Sequence, residues 1–219
     1  MFEAVIFDWD GTLVNSRKAI VGSFQEALDE VGCKVPDEFI ARRMGTSSLE
    51  TLMMILKEAK VSFDDELIKH LSEERIRFEM EMSDKVILFD GTTDLLASLK
   101  GKVKLALATS NNREVIDHLL KMKDVRSFFD TMVTIEDIKN SKPNPEIFLK
   151  CASELNVRPE RCVVVEDSIF GVKAAEAAKM GCIAVLTGVY SREELATANP
   201  GLTVQSVKEK TAILRYVIG

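Results

Sequence analysis

The chain has 219 residues, 46% hydrophobic and 29% charged, enough apolar material for one α/β domain, or a core with a smaller insert, and too much for a disordered chain. Its net charge is −6 and its basic residues lie scattered among acids, which excludes the positive stripe that a nucleic-acid partner requires. No window approaches the roughly 18 consecutive apolar residues of a membrane span, and the apolar start is broken by Glu3 and stopped at Asp8. Neither a membrane segment nor a signal peptide is read, so a cytoplasmic address is expected, with a monomer as the default.

Residues 3–7 (EAVIF) read as a buried strand that runs straight into Asp8-Trp9-Asp10-Gly11-Thr12. Two carboxylates thus stand at the carboxyl end of a strand, where open α/β sheets bind ligands. Anions this close need a shared proton or cation, which points to Mg²⁺ held by the Asp8 carboxylate and a backbone carbonyl. Gly11 permits the sharp turn that follows. Taken alone, the same residues also describe an ordinary Asp-Gly turn.

No strand is read for a long interval after this motif, far beyond an ordinary crossover. Residues 17–32, 48–60 and 64–82 instead carry the periodicity of amphipathic helices. An all-helical domain over 16–85, inserted into a core made of 1–15 and 86–219, accounts for them. Met53, Met54, Met80 and Met82 are read as helix-packing residues. Arg43, before Met44-Gly45-Thr46-Ser47-Ser48, is a candidate contact for a second anionic group on a substrate, against the alternative of a surface arginine.

Beyond the insert, helices over 92–100, 113–122, 145–155 and 172–179 alternate with apolar strands over 103–109, 131–134, 162–166 and 183–187. This is the pattern of a doubly wound parallel sheet, a Rossmann-like core, closed by a helix over 206–218. The strand KLALAT ends at Thr109-Ser110-Asn111, offering a hydroxyl and free backbone N–H groups to a phosphate, although a helix N-cap would look the same. In Ser141-Lys142-Pro143-Asn144-Pro145 two prolines stiffen the backbone around a lysine. The strand CVVVE ends at Glu166-Asp167-Ser168, a second acidic pair. Cys33, Cys151, Cys162 and Cys182 form no Cys-x-x-Cys pair and are read as buried thiols, and His70 and His118 are too isolated for a zinc site or a catalytic triad.

Taken together, these four motifs in this order resemble the haloacid dehalogenase superfamily, whose phosphatases show Asp-x-Asp-Gly-Thr, a strand-terminal Thr or Ser, a Lys and a late acidic pair. The helical insert resembles the cap domain of one branch. The resemblance implies that Asp8 attacks phosphorus while Asp10 protonates the leaving oxygen and then activates water. It implies that Thr109 and Lys142 hold phosphoryl oxygens; Gly11, Ser110 and Asn111 are candidate phosphate-binding residues beside them, and Arg43 stays a candidate from its loop position alone. Mg²⁺ would be bound by Asp8, the Asp10 carbonyl and Asp167, with Glu166 nearby or acting through water.

The partner implied is a small phosphorylated metabolite. Asp10 argues against true dehalogenases, which lack that acid. β-Phosphoglucomutases carry a cap histidine where this chain has Ile20, and typically Val where it has Thr12, so hydrolysis is expected over mutase chemistry. The segment DWDGTLVNS looks most like phosphoglycolate-phosphatase-type members, with Asn15 in place of their usual Asp. A catalytically inactive regulator that binds phosphorylated ligands is the alternative of another class, opposed by intact Asp8, Asp10, Lys142 and Asp167.

Overall fold

Four consecutive apolar residues with no polar face make β1 (Ala4–Phe7), and all four are buried. The computed structural model describes residues 1–219. After β1 the chain turns into a short strand, β2 (Val14–Asn15), and leaves the sheet for α1 (Arg17–Asp29), α2 (Asp37–Ala41), α3 (Ser48–Glu58) and α4 (Asp65–Glu81). Ser47 and Asp64 cap α3 and α4, accepting from the N–H groups of Glu50 and Leu67. These helices share an apolar cluster of their own, with Phe24, Leu28, Ile55 and Leu71 at its centre. The chain returns through β3 (Ile87–Leu88), which pairs antiparallel with β2, Val14 opposite Leu88 and Asn15 opposite Ile87. Outgoing and returning segments are therefore tied together.

The rest alternates: α5 (Thr92–Leu99), β4 (Lys104–Ala108), α6 (Arg113–Met122), β5 (Thr131–Val133), α7 (Glu146–Leu155), β6 (Cys162–Glu166), α8 (Ile169–Ala177), β7 (Gly181–Val185), α9 (Arg192–Ala196), β8 (Leu202–Val204) and α10 (Lys210–Ile218). Six strands form one parallel sheet in the order β5-β4-β1-β6-β7-β8. Side chains alternate across it. Val5 and Phe7 pack with the apolar faces of α5, α6 and α10, while Ala4 and Ile6 pack with α7 and α8. Burying each large aliphatic or aromatic side chain contributes roughly 1.5–3 kcal/mol, so the doubly covered centre of the sheet holds the strand ends rigidly.

The doubly wound parallel sheet is as expected, and all four cysteines are buried and free. Five short elements were not expected: β2, β3, β8, α2 and α9, each too brief to carry a period. The strand expected over 183–187 runs over Gly181–Val185, because Gly181 pairs with Val163. The helix expected from 172 starts at Ile169, where the Ser168 hydroxyl accepts the Gly171 N–H. No helix is long and apolar enough to cross a membrane.

Candidate active site

The chain leaves β1 toward β4 on one side and leaves β6 toward β7 on the other, so the winding reverses between β1 and β6. A crevice opens at the carboxyl ends of the strands at such a point. Phe7 lies level with Leu107 and Val165, and the Asp8 N–H donates to the Val165 carbonyl at 3.0 Å. Asp8 therefore stands between Glu166 and the Thr109 end of β4. Trp9 follows Phe7 into the core, and its carbonyl accepts the N–H groups of Thr12, Leu13 and Val14 in the turn. Gly11 has φ +84°, and a Cβ there would lie 2.2 Å from Asp167 Oδ2. A Cβ on Gly188 would lie 2.0 Å from the same atom, so two glycines close on the Asp167 carboxylate.

Lys142 is fully buried and donates to Asp8 Oδ1 and to Glu166 Oε1, both at 2.7 Å. Burial opposes its charge, but Asp8 and Glu166 overcome this and hold its pKa above the ordinary lysine value. Glu166 Oε2 accepts the N–H and the hydroxyl of Ser168, at 2.7 and 3.0 Å. Both Glu166 oxygens are thus engaged within the protein, and the residue orients the lysine. Asp167 Oδ1 accepts the Thr12 hydroxyl at 3.2 Å. Burial, opposed by Lys142, pushes Asp8 up to about 7. Burial, then repulsion from Glu166 and Asp8, raises Asp167 well above the ordinary carboxylate value.

Asp10 Oδ2 accepts the Asn111 amide at 3.4 Å, while its Oδ1 is buried without a partner. Burial and then the charge of Glu79 push Asp10 up to about 7, against the pull of Ser16 and Asn111. Glu79 was not a candidate from sequence, and neither was Arg75, its ion-pair partner one helical turn earlier; both are 1% exposed. The Asn111 amide that reaches Asp10 also donates to Glu79 Oε1 at 2.5 Å, and Arg75 donates to Asn112 Oδ1 at 2.8 Å. A signal was present in the sequence, since Ile68, Leu71, Arg75 and Glu79 form the buried stripe of α4 and so place charges at core positions.

Thr109 is buried, and its hydroxyl oxygen accepts the Asn111 N–H at 3.1 Å. The Asn112 N–H donates to Asn111 Oδ1 at 2.8 Å. Of the N–H groups expected to be free for a phosphate over Thr109-Ser110-Asn111, that of Thr109 donates to the Val133 carbonyl and that of Asn111 to the Thr109 hydroxyl. Ser110 is turned toward the helical insert, donating to the Gly45 carbonyl at 2.8 Å. The Arg43 guanidinium lies 3.5 Å from the Phe39 ring centroid and donates to the Phe39 carbonyl at 2.9 Å. Arg43 lines a cavity of about 30 Å³ together with Ile20, Asp10, Arg75, Glu79 and Asn111.

A family model described as haloacid dehalogenase-like hydrolase matches residues 5–185. The chain belongs to the haloacid dehalogenase-like hydrolases. A relative in Thermotoga maritima, a phosphorylated carbohydrates phosphatase, is 36% identical over 180 residues, 80% of this chain and 81% of that one. The chloroplastic protein SUPPRESSOR OF QUENCHING 1 of Arabidopsis thaliana is 35% identical over 203 residues. That match takes in 91% of this chain, which spans 19% of the Arabidopsis protein's length. Among solved structures, a β-phosphoglucomutase from Clostridium difficile superposes with a TM-score of 0.88 at 26% identity, covering 100% of each chain.

In this hydrolase, Asp8, Glu166 and Asp167 bring carboxylate oxygens within 4.8 Å of one another. One lysine faces this cluster, bonded to Asp8 and Glu166 and not to Asp167. The uncompensated charge, the all-oxygen donor set and the glycine cradle around Asp167 fit a small hard divalent ion. A prediction follows for the metal-free protein. Asp8 and Asp10 are raised from 3.8 to about 7, so the folded state holds protons that the unfolded state releases. The stability this gives is complete below about pH 4 and is lost as pH rises through 7. In chelator the protein should melt lower at pH 8 than at pH 5, and Mg²⁺ should raise Tm more at pH 8. A Mg²⁺ shift that is absent, or larger at pH 5, would contradict the metal assignment.

Proposed function

We propose that this protein is a Mg²⁺-dependent phosphatase that hydrolyses small phosphorylated metabolites, carbohydrate phosphates foremost, through an aspartyl-phosphate on Asp8. The observation that carries this reading is the pairing of a lysine-held carboxylate at a strand end with a second carboxyl, two residues on, whose Oδ1 is unpartnered. Asp8 attacks phosphorus, and the ester P–O bond breaks as Asp10 gives its proton to the leaving oxygen. Asp10, now ionised, takes a proton from water, which attacks the acyl phosphate and regenerates Asp8. Lys142 steers the nucleophile and neutralises phosphoryl charge, and the Thr109 hydroxyl has its donor available for a phosphoryl oxygen. Asp8, the Asp10 carbonyl and Asp167 would hold Mg²⁺. When bound, Mg²⁺ supplies charge that keeps the carboxylates ionised and offsets the phosphoryl oxygens.

The cavity beside Asp10 supports the substrate class. Of its two cations, Arg75 is paired with Glu79, and Arg43 is stacked on Phe39 and tied to the Phe39 carbonyl. Arg75 Nε and Asp10 Oδ1, a donor and an acceptor, are buried without partners. A hydroxylated leaving group offers a donor and an acceptor to these two atoms, which the carboxylate of phosphoglycolate, an acceptor only, does not. Ile20 lines this cavity where a mutase would need an imidazole, which supports transfer to water over transfer to a second sugar position. A cavity of about 30 Å³ has room for a water or two. We take residues 16–85 to be a cap that separates from the core to admit substrate.

The test is a panel of hexose and pentose phosphates, phosphoglycolate, pyrophosphate and an aryl phosphate, assayed with Mg²⁺. Sugar phosphates should exceed phosphoglycolate in kcat/KM by at least about tenfold, since buried polar groups left unpaired by the wrong ligand discriminate strongly. Equal or faster turnover of phosphoglycolate would overturn the substrate class. Binding of phosphate compounds with no turnover of any of them would favour the inactive regulator.

A further inference from the structure

Asn111 sits between two carboxylates from different parts of the chain. Its Nδ2 donates to Asp10 Oδ2 in the core and to Glu79 Oε1 on α4 of the insert, while its Oδ1 accepts the Asn112 N–H. Both acceptor contacts are buried. Glu79 is in turn fixed by Arg75, which also reaches Asn112. The adjacent Ser110 donates to the Gly45 carbonyl of the insert. Three consecutive residues after β4 are therefore bonded to the helical unit, and one of them holds the carboxyl of Asp10.

A planar amide with its oxygen committed to Asn112 has one way to turn its NH₂ group, so an acceptor on α4 that anchors one N–H also aims the other. A charge inside the apolar face of a helix is costly unless it is bonded, and the Arg75–Glu79 pair gains its bonds beyond the pair itself from Asn111 and Asn112, with Arg75 Nε left over. The pair therefore links the docking of α4 to the geometry of the acid–base residue.

We propose that Glu79 is a positioning residue for Asp10: through the Asn111 amide it locks the Asp10 carboxyl in place when the helical insert is seated on the core. This rests on the reading of Asp10 as the acid and base. Glu79 touches no reacting atom. Its action is to make proton transfer efficient only in the closed arrangement, so that a substrate which fails to seat the insert is turned over slowly.

The experiment is a double-mutant cycle on Glu79→Gln and Asn111→Ala in the full-length Mg²⁺-loaded enzyme, with kcat and KM measured on a sugar phosphate and on p-nitrophenyl phosphate. Glutamine keeps the volume, but its one oxygen cannot serve both Arg75 and Asn111. Glu79→Asp is the second variant: it keeps the charge beside Arg75 and withdraws the oxygen from Asn111. For the sugar phosphate, either Glu79 variant should lower kcat about 10- to 100-fold, part of what a misplaced general acid costs, with KM changed less than about twofold. The burst of p-nitrophenol, a leaving group that needs little protonation, should change less than about threefold. Adding Asn111→Ala to Glu79→Gln should cost little more, because the two act in series.

Additive losses in the cycle, equal losses of the sugar-phosphate rate and the p-nitrophenol burst, or a rise in KM at unchanged kcat would overturn the positioning role. A wild-type enzyme that turns over neither compound would instead overturn the proposed function, so the two failures are distinguishable.

Discussion

Asp8→Asn should abolish turnover, lowering kcat by at least about 10⁴-fold while the protein remains folded. The side chain is almost isosteric, and the strand that carries it is fixed by β4 and β6 on either side. An amide oxygen is a poor nucleophile toward phosphorus and yields no acyl phosphate that water can resolve. No other side chain can replace it: Glu166 is bonded through both oxygens to Lys142 and Ser168, and Asp167 is enclosed by Thr12, Gly11 and Gly188. Steady-state assays with purified variant, alongside circular dichroism to verify folding, check this. Activity within about tenfold of wild type, well inside what loss of a nucleophile costs, would show that Asp8 is not the nucleophile.

Lys142→Met should be the second most damaging change, and it should act on catalysis and stability together. The lysine is the shared cation of Asp8 and Glu166, and its side chain is fully buried. Removing a preorganised charge aimed at the transferring group costs about 10²–10³ in kcat. Removing one partner of a buried pair destabilises by about 3–5 kcal/mol when the remaining charge cannot be neutralised. Here the orphaned carboxyls can take up protons, so the loss should be smaller at pH 5 than at pH 8, with urea unfolding at both pH values as the measurement. A loss of equal size at the two pH values would mean that methionine fails to pack there and that the ion pair is not the cause.

The core was legible because its signals are local. Cys162–Glu166 is uniformly apolar until its last residue, and the change from Val165 to Glu166-Asp167 marks the strand end that carries the second acidic pair. Asp8 reads the same way after Ala4–Phe7. The partners of these residues were harder to read, because they depend on contacts between distant segments. Nothing around Ser110 announces that its hydroxyl meets Gly45, 65 positions away. The Asn111 N–H looked free for phosphate, but the Thr109 hydroxyl folds back to accept it. Arg75 and Glu79 were obscured by their neighbours, since Glu73, Glu74, Arg77 and Glu81 make this part of α4 look like a solvated helix. Only their alignment with Ile68 and Leu71 separates the buried pair from the exposed charges.

The covalent intermediate proposed on Asp8 is most directly tested in Asp10→Asn mixed with p-nitrophenyl phosphate and Mg²⁺. A leaving group that needs little protonation lets the first step proceed, while the lost base slows hydrolysis of the adduct. Rapid-quench mass spectrometry should then show one phosphoryl group per chain, placed by fragmentation on Asp8 and formed in step with a burst of p-nitrophenol. Phosphate on a serine or histidine, or turnover with inversion at phosphorus and no adduct on Asp8, would contradict the mechanism.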